Sequence, residues 1–204
     1  MLDDVVRIKS IAARALSSTL RMGSMIDELL HTMSFHSGQD VKLDLSRFDI
    51  CEVVKEVQAD AIMAYGPRLT VIDRSIIGIW DRSAVKRVVE NLVNNAVKYG
   101  SAGTPITIKL DETHERLLLS VHNEGPPIPP DEQECIFQMY RRAEYAKNND
   151  KLGWGIGLPH VRAVAESHGG SIGVDSSHER GTTFIFDIPV DGRLRQNAPT
   201  LSLG

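Results

Sequence analysis

The chain has 204 residues, a net charge of −4 and 42% hydrophobic residues, a composition typical of a folded globular protein. Its slight acidity argues against a protein whose main partner is a nucleic acid, because such proteins usually carry an excess of Lys and Arg. The chain has only two cysteines, Cys51 and Cys135, so we expect neither a disulfide framework nor a paired-cysteine metal site. No apolar run approaches the roughly 18 residues of a membrane span. We therefore expect a soluble, cytoplasmic segment, even if a longer parent protein is membrane-anchored.

The first predicted element is one long helix over residues 3–36. It contains no proline, and apolar or small residues recur at alternating spacings of four and three: Ile8, Ala12, Ala15, Thr19, Met22, Ile26, Leu29 and Met33. This spacing keeps a narrow seam on one side, which favours a coiled-coil or bundle helix that dimerises over a helix docked on its own domain. Gly38 is a typical helix terminator, so residues 1–38 are predicted to form a dimerisation segment.

The second predicted domain covers residues 39–190 and mixes strands with helices. Its predicted elements are a strand at 41–45, a helix at 50–65 capped by Asp49, strands at 69–71 and 76–80 joined by a turn, a helix at 83–99, a hairpin at 106–110 and 117–121, a helix at 158–168, and strands at 171–175 and 182–188. This order predicts an α+β fold, a two-layer sandwich in which about three helices cover one face of a mostly antiparallel mixed sheet. The remaining tail, residues 191–204, has few apolar residues and is expected to be mobile.

Three polar residues lie on one face of the predicted helix at 83–99. Asn91 and Asn95 are four residues apart, and Lys98 follows within one turn. Two amide oxygens and an ammonium suit a polyphosphate with bound magnesium, because this ion prefers oxygen ligands and keeps several waters. On their own, these three residues are explained equally well by a solvated polar face.

Three turns add to this pattern. Residues 123–129 follow a strand, where one side chain can meet a purine edge, although a proline-rich loop is the simpler explanation of this segment alone. Gly153, Gly155 and Gly157 precede a helix, so their backbone N–H groups can approach phosphate oxygens at its N-terminus. Their spacing differs from the dinucleotide-binding fingerprint, and no P-loop occurs. Residues 181–184, taken singly, predict only a hairpin turn.

In this order, the segments resemble the ATP-binding domain of sensor histidine kinases, whose Bergerat fold is shared with type II topoisomerases and mismatch-repair ATPases. The resemblance covers about residues 48–190. It rests on the N box at 90–100, the G1 box at 123–128, the F box at 136–142, the G2 box at 153–158 and the final glycine box at 181–184. The helix at 3–36 resembles the second helix of the kinase dimerisation hairpin, especially at residues 21–30.

The resemblance implies roles for individual residues. Asn95 would coordinate Mg²⁺, and Asn91 would line the phosphate site beside it. Asn123 stands where the family usually has an aspartate that accepts a hydrogen bond from the adenine amino group. The complete implied nucleotide-binding set is Asn91, Asn95, Lys98, Tyr99, Asn123, Gly125, Ile128, Gly153, Gly155, Gly157, Leu158 and Thr183. The implied cofactors are ATP and Mg²⁺.

A mobile lid over residues 125–157 is implied as well. Phe137 and Tyr140 would anchor it to the domain, and Arg142, or its neighbour Arg141, would steady the γ-phosphate, since a fixed guanidinium suits developing phosphoryl charge. The residues implied to be catalytic are Asn91, Lys98 and Arg142.

Two departures from the family pattern stand out. Asn123 replaces the adenine-binding aspartate and Pro127 replaces the second G1 glycine, so we expect weaker but not abolished ATP binding, because a neutral acceptor makes a weaker hydrogen bond. No histidine fits the phosphoacceptor pattern, in which an acidic residue follows the histidine and a proline comes five positions after it. His114 and His178 precede glutamates, but both lie in predicted turns and lack the proline. The phosphoacceptor is therefore expected outside this chain.

The sequence predicts the catalytic part of a two-component sensor histidine kinase, which transfers the γ-phosphoryl group of ATP to a histidine located elsewhere. The alternatives are a catalytically idle nucleotide-binding dimerisation module and a serine kinase of the same fold. Implied partners are a second copy of the chain through the N-terminal helix, a response regulator receiver domain and an upstream sensor region, with no nucleic acid. Self-association is expected to be weak, because half of the four-helix bundle is missing.

Overall fold

The computed structural model describes residues 43–138 and 155–195. Their strands and helices are, in chain order, β1 (Leu45–Asp49), α1 (Ile50–Tyr65), β2 (Leu69–Ile72), β3 (Ile77–Asp81), α2 (Arg82–Tyr99), β4 (Ile106–Thr113), β5 (Arg116–Asn123), α3 (Gly157–Ser167), β6 (Ser171–Ser177) and β7 (Gly181–Pro189). Short 3₁₀ turns cover Cys135–Phe137 and Gly192–Arg195. None of the helices in these ranges is long and apolar enough to cross a membrane. The predicted helix at 3–36 lies outside the described residues.

In the described part of the chain, the main sheet has five strands in the order β2-β4-β5-β7-β6. β2 runs parallel to β4, whereas every other neighbouring pair is antiparallel. Its inward side chains pack against the helices in one core, whose largest fully buried members include Phe184, Phe186, Leu92, Ile106, Ile108, Leu117, Leu119 and Ile188. The predicted α+β fold, a mostly antiparallel mixed sheet with three helices, is confirmed for the described residues.

Within the described residues, a second sheet consists of β1 and β3, which pair antiparallel. The strands predicted at 69–71 and 76–80 therefore do not form a hairpin with each other. Trp80 explains the separation, because its ring is fully buried, its Nε1 donates to the Pro189 carbonyl at 2.7 Å, and Phe48 contacts it edge-on at 5.5 Å between ring centroids. The first strand was predicted at 41–45, but β1 begins at Leu45, where its pairing with β3 begins.

The helix that carries the predicted polar face, α2, is fixed at both ends. Asp81 caps its N-terminus by accepting from the Ala84 N–H at 3.0 Å, so the helix begins one residue before the predicted Ser83. Gly100 ends it by donating to the Ala96 carbonyl. Its buried side chains are Val85, Val88, Val89, Leu92, Val93 and Ala96. Because these residues occupy the core side, the polar residues between them face away from the sheet.

Two other predictions about chain ends have clear outcomes. The predicted cap of α1 is confirmed, because the Asp49 side chain accepts from the Cys51 N–H at 2.9 Å. The tail predicted to be mobile from residue 191 begins as an ordered turn, since Asp191 forms a bridge with Ile79 and a 3₁₀ turn covers Gly192–Arg195. Residues 196–204 lie outside the described ranges.

Candidate functional site

The polar face of α2 forms one wall of the candidate site. Asn91, Asn95 and Lys98 are half-buried, whereas the intervening Asn94 is exposed. Lys98 Nζ lies 4.9 Å from the centroid of the Tyr99 ring, at the C-terminal end of the helix. The distance along the helix axis from Asn91 to Tyr99 is about 12 Å at 1.5 Å rise per residue. This wall is long enough for an extended ligand that places different groups at its two ends.

The N-terminus of α3 meets α2 at Asn91. A Cβ atom added to Gly157 would lie 3.1 Å from Asn91 Oδ1, closer than ordinary van der Waals contact. Gly155 has a φ of 69°, in the left-handed region that favours glycine. Among the described residues no side chain caps α3, whose first residue is Gly157, so the amides of Gly157 and Leu158 have no acceptor within the helix at this end. Uncapped helix amides beside an amide oxygen are the arrangement that receives phosphate oxygens and their counter-ion.

The turn after β5 lies against the other end of α2. Asn123 is only 4% exposed, and its Nδ2 donates to the Glu124 carbonyl at 3.3 Å. The same carbonyl accepts from the Ser101 N–H at 2.7 Å, which ties the turn to the chain leaving α2. A Cβ atom on Gly125 would lie 2.8 Å from the Tyr99 carbonyl, so only glycine fits here without a shift. Because Nδ2 is engaged within the chain, Asn123 Oδ1 is the atom left to accept from a ligand.

The two threonines at the start of β7 face opposite sides of the sheet. Thr182 lies opposite Asn123 in the β5–β7 register and is 4% exposed, so both side chains are on the buried face. Thr183 lies opposite His122, and its Oγ1 is 2.9 Å from His122 Nδ1 on the outer face. The structure therefore does not bring the predicted Thr183 to the Asn123 side; it brings Thr182 there. Strict alternation from the inward Phe184 is the sequence signal that identifies Thr182.

The remaining predicted residues divide into two groups. Ile128 is buried in the core, and Phe137 contacts Phe184 edge-on with 6.2 Å between ring centroids. This contact holds Phe137, which lies within the predicted lid at 125–157, against β7. Arg142, Tyr140 and Gly153 lie outside the described residues, as does Arg141, so their predicted roles stay predictions.

Glu90 lies beside the polar face, and the pKa of its carboxyl is raised. Burial raises the pKa of its carboxyl above the usual value of 4.5, and Asp60 adds to that effect, while Lys86 and Arg87 act in the opposite direction. A half-buried carboxyl next to Asn91 thus keeps a proton more readily than one in water.

Comparison with known proteins identifies the family. Residues 80–192 match the family described as "Histidine kinase-, DNA gyrase B-, and HSP90-like ATPase". The sensor histidine kinase WalK of Bacillus subtilis is 30% identical in an alignment of 196 positions that covers 89% of this chain and 31% of WalK. The sensor-like histidine kinase SenX3 of Mycolicibacterium smegmatis is 28% identical over 92% of this chain and 50% of SenX3. The chain thus spans about a third to a half of the length of these curated relatives.

Solved structures give the same result. The catalytic domain of histidine kinase ThkA is 27% identical, with a TM-score of 0.64, over 74% of this chain and 99% of that domain. The mycobacterial sensor histidine kinase MprB is 25% identical, with a TM-score of 0.63, over 71% of this chain and 96% of the solved one. The family match includes α2, the turn after β5, the N-terminus of α3 and β7. The chain therefore belongs to the histidine kinase-, DNA gyrase B- and HSP90-like ATPase family.

Proposed function

We propose that this domain binds ATP with Mg²⁺ and transfers the γ-phosphoryl group to a histidine imidazole outside the chain, as the catalytic part of a sensor histidine kinase. The observation that carries the proposal is the approach of α3 to α2, where a Cβ on Gly157 would lie 3.1 Å from Asn91 Oδ1. This approach supports binding of the phosphates near Asn91, which we call the phosphate end of the site. The acceptor oxygen of Asn123, near the C-terminal end of α2, supports binding of the base there, which we call the base end.

The residues present fit a magnesium ion shared with phosphates. Asn91 and Asn95 offer amide oxygens, which are hard ligands, and few protein ligands are needed because magnesium keeps several waters. Glycine at position 157 leaves Asn91 Oδ1 accessible, where a larger residue would crowd it. When bound, the ion would supply positive charge that offsets the negative charge of the phosphates.

The chain's own residues would align the reaction. The N-terminal amides of α3, at Gly157 and Leu158, would hold phosphate oxygens, and Lys98 on α2 would add positive charge. An imidazole nitrogen attacks the γ-phosphorus while the bond from that phosphorus to the β–γ bridging oxygen breaks and ADP leaves. Phosphoryl transfer depends mainly on alignment and charge stabilisation, and Arg142 is proposed to steady the γ-phosphate.

Partners follow from the kinase assignment. The sensor kinases that resemble this chain support a place in a two-component pathway. The proposed partners are a second copy of the chain, joined through the heptad helix at residues 3–36, an upstream sensor region, and a response regulator receiver domain. Transfer of radiolabelled phosphate from ATP to a longer chain that contains the upstream helix separates this proposal from an idle nucleotide-binding module.

Calorimetric titration of ATP with Mg²⁺ tests the nucleotide site directly. Asn95→Ala should weaken binding at least tenfold, because it removes the proposed ion ligand. Asn94→Ala is the matched control, since Asn94 is the exposed neighbour on the same helix, and it should bind like the unsubstituted chain. If the unsubstituted chain is folded and does not bind ATP, or if both variants bind equally well, the proposal is wrong.

A further inference from the structure

The backbone of Ile128 is held on both sides by side chains from other segments. Its N–H donates to Ser176 Oγ at 2.9 Å, and its carbonyl accepts from Gln133 Nε2 at 3.0 Å. Gln133 Nε2 also donates to the Ser176 carbonyl at 3.2 Å. β6 is an edge strand of the described sheet, so one side of its backbone has no neighbouring strand to form hydrogen bonds with. Gln133 provides a donor to the Ser176 carbonyl at this edge. Gln133 and Ser176 thus fasten the loop after β5 to the β6–β7 hairpin.

The same serine is connected to the base end of the candidate site. Ser176 Oγ lies 2.7 Å from Thr182 Oγ1, and the two residues are partners in the β6–β7 register. Thr182 is in turn the register partner of Asn123. Hydrogen bonds therefore connect Ile128 through Ser176 to Thr182, which lies opposite Asn123, the residue proposed to accept from the base.

We propose that Ser176 and Gln133 are positioning residues that fix the wall of the base pocket by holding Ile128 against the β6–β7 hairpin. This inference rests on the proposed nucleotide site and goes beyond it, because neither residue lies in one of the five boxes on which the family resemblance rests. Neither touches the phosphate end at Asn91. Loss of their hydrogen bonds should therefore change recognition of the base and leave recognition of the phosphates intact.

The chemistry of the two side chains explains why they suit this task. The Ser176 hydroxyl can accept from Ile128 N–H and donate to Thr182 Oγ1 at the same time. The Gln133 amide nitrogen has two hydrogens, one for each carbonyl. Removing either side chain's polar group leaves a backbone group of the buried Ile128 without its partner, which destabilises this loop conformation relative to others.

The test compares Ser176→Val with Ser176→Thr, which have the same shape and differ only in the hydroxyl. Each chain is assayed by competition against a fluorescent ATP analogue, with ATP, adenosine and inorganic tripolyphosphate as competitors. Ser176→Val should weaken ATP and adenosine binding by a similar factor, about 5- to 30-fold, and leave tripolyphosphate unchanged. Ser176→Thr should bind like the unsubstituted chain. Gln133→Met keeps the length of the side chain but removes its amide N–H donors, so it should give the same result as Ser176→Val. It replaces Ser176→Val in the test if that variant does not fold.

Ser177→Ala controls for general damage to the hairpin. Ser177 accepts from the Arg180 N–H in the β6–β7 turn at 3.1 Å, so its loss loosens the turn without touching Ile128. It should melt at a lower temperature and keep full ATP affinity. Equal ATP affinity in Ser176→Val and Ser176→Thr would overturn the inference while the proposed function stands. Equal weakening of ATP and tripolyphosphate binding in Ser176→Val would do the same. Absence of ATP binding by the unsubstituted chain would overturn both.

Discussion

His168 Nε2 accepts a hydrogen bond from the backbone N–H of Asp81 at 3.1 Å. Its Nδ1 lies 2.8 Å from the Val164 carbonyl and donates to it, so the ring is the neutral tautomer protonated at Nδ1. His168 is fully buried at the C-terminal end of α3, while Asp81 caps the N-terminus of α2. One imidazole therefore joins the two helices whose approach forms the proposed phosphate end.

Replacing His168 with Ala should destabilise the domain. The change leaves the Asp81 N–H without an acceptor and opens a cavity, which together should lower the free energy of unfolding by about 2–4 kcal/mol. Urea denaturation measures this value. His178→Ala, at an exposed turn position, is the control and should change stability by less than about 0.5 kcal/mol. Equal stability of the two variants would show that the His168 contact contributes nothing.

Gly157→Ala should weaken ATP binding without unfolding the domain. The new methyl group would lie 3.1 Å from Asn91 Oδ1, which must move to accommodate it. Alanine is otherwise favoured over glycine in a helix, so stability should stay equal or rise by up to about 1 kcal/mol. Calorimetry should find at least tenfold weaker ATP binding. Gly173→Ala, where nothing lies within 4 Å of the added Cβ, should bind normally; a similar loss there would contradict the role of the Asn91 contact.

The two threonines of β7 should respond differently to removal of the hydroxyl. Thr182→Val, on the Asn123 face, should weaken ATP binding about 5- to 30-fold through loss of one buried polar group. Thr183→Val, on the His122 face, should change it less than about twofold because its hydroxyl bonds on the outer side of the sheet. Competition with a fluorescent ATP analogue measures both. The reverse ranking would show that Thr183, a member of the implied nucleotide-binding set, contributes more to ATP binding than Thr182.

Asn123→Leu should abolish the preference for ATP over GTP. The substitution removes the oxygen that is proposed to accept from the adenine amino group and keeps a buried side chain of similar size. Binding constants for ATP and GTP should then approach each other, with ATP affinity reduced. A thermal melt identifies any variant that has simply unfolded. Unchanged discrimination in a folded Asn123→Leu chain would refute the role of Asn123.

Glu90→Gln should make stability less dependent on pH. Burial raises the pKa of the Glu90 carboxyl above 4.5 in the folded state, so between the unfolded and folded pKa values the native state binds more protons than the unfolded state. Stability contributed by this group is therefore present at low pH and falls as pH rises through that window. Glutamine has no proton to lose. Denaturation at pH 4 and pH 7 should show Glu90→Gln gaining stability relative to the unsubstituted chain at the higher pH, and an equal difference at both would contradict this.

Much of the local structure followed from residues adjacent in the chain. Asp49 was identified as a cap because its side chain needs only the N–H of Cys51, two residues later. The hairpin of β4 and β5 was predicted from alternation around a short polar turn, and its two turn residues, His114 and Glu115, both have positive φ values. The polar face of α2 was predicted from helical spacing alone. These features depend on short-range geometry, which a single sequence displays directly.

Tertiary structure decided what distant residues do together. Whether β3 pairs with β2 or with β1 depends on the burial of Trp80 against Pro189, a contact between residues far apart in the sequence. The side of the sheet that Thr182 faces follows from its register with Asn123. The clearance at Gly157 exists only because α3 packs on α2. The sequence alone identified the residues that are proposed to bind phosphate, and the packing of the helices on the sheet determined which of them meet.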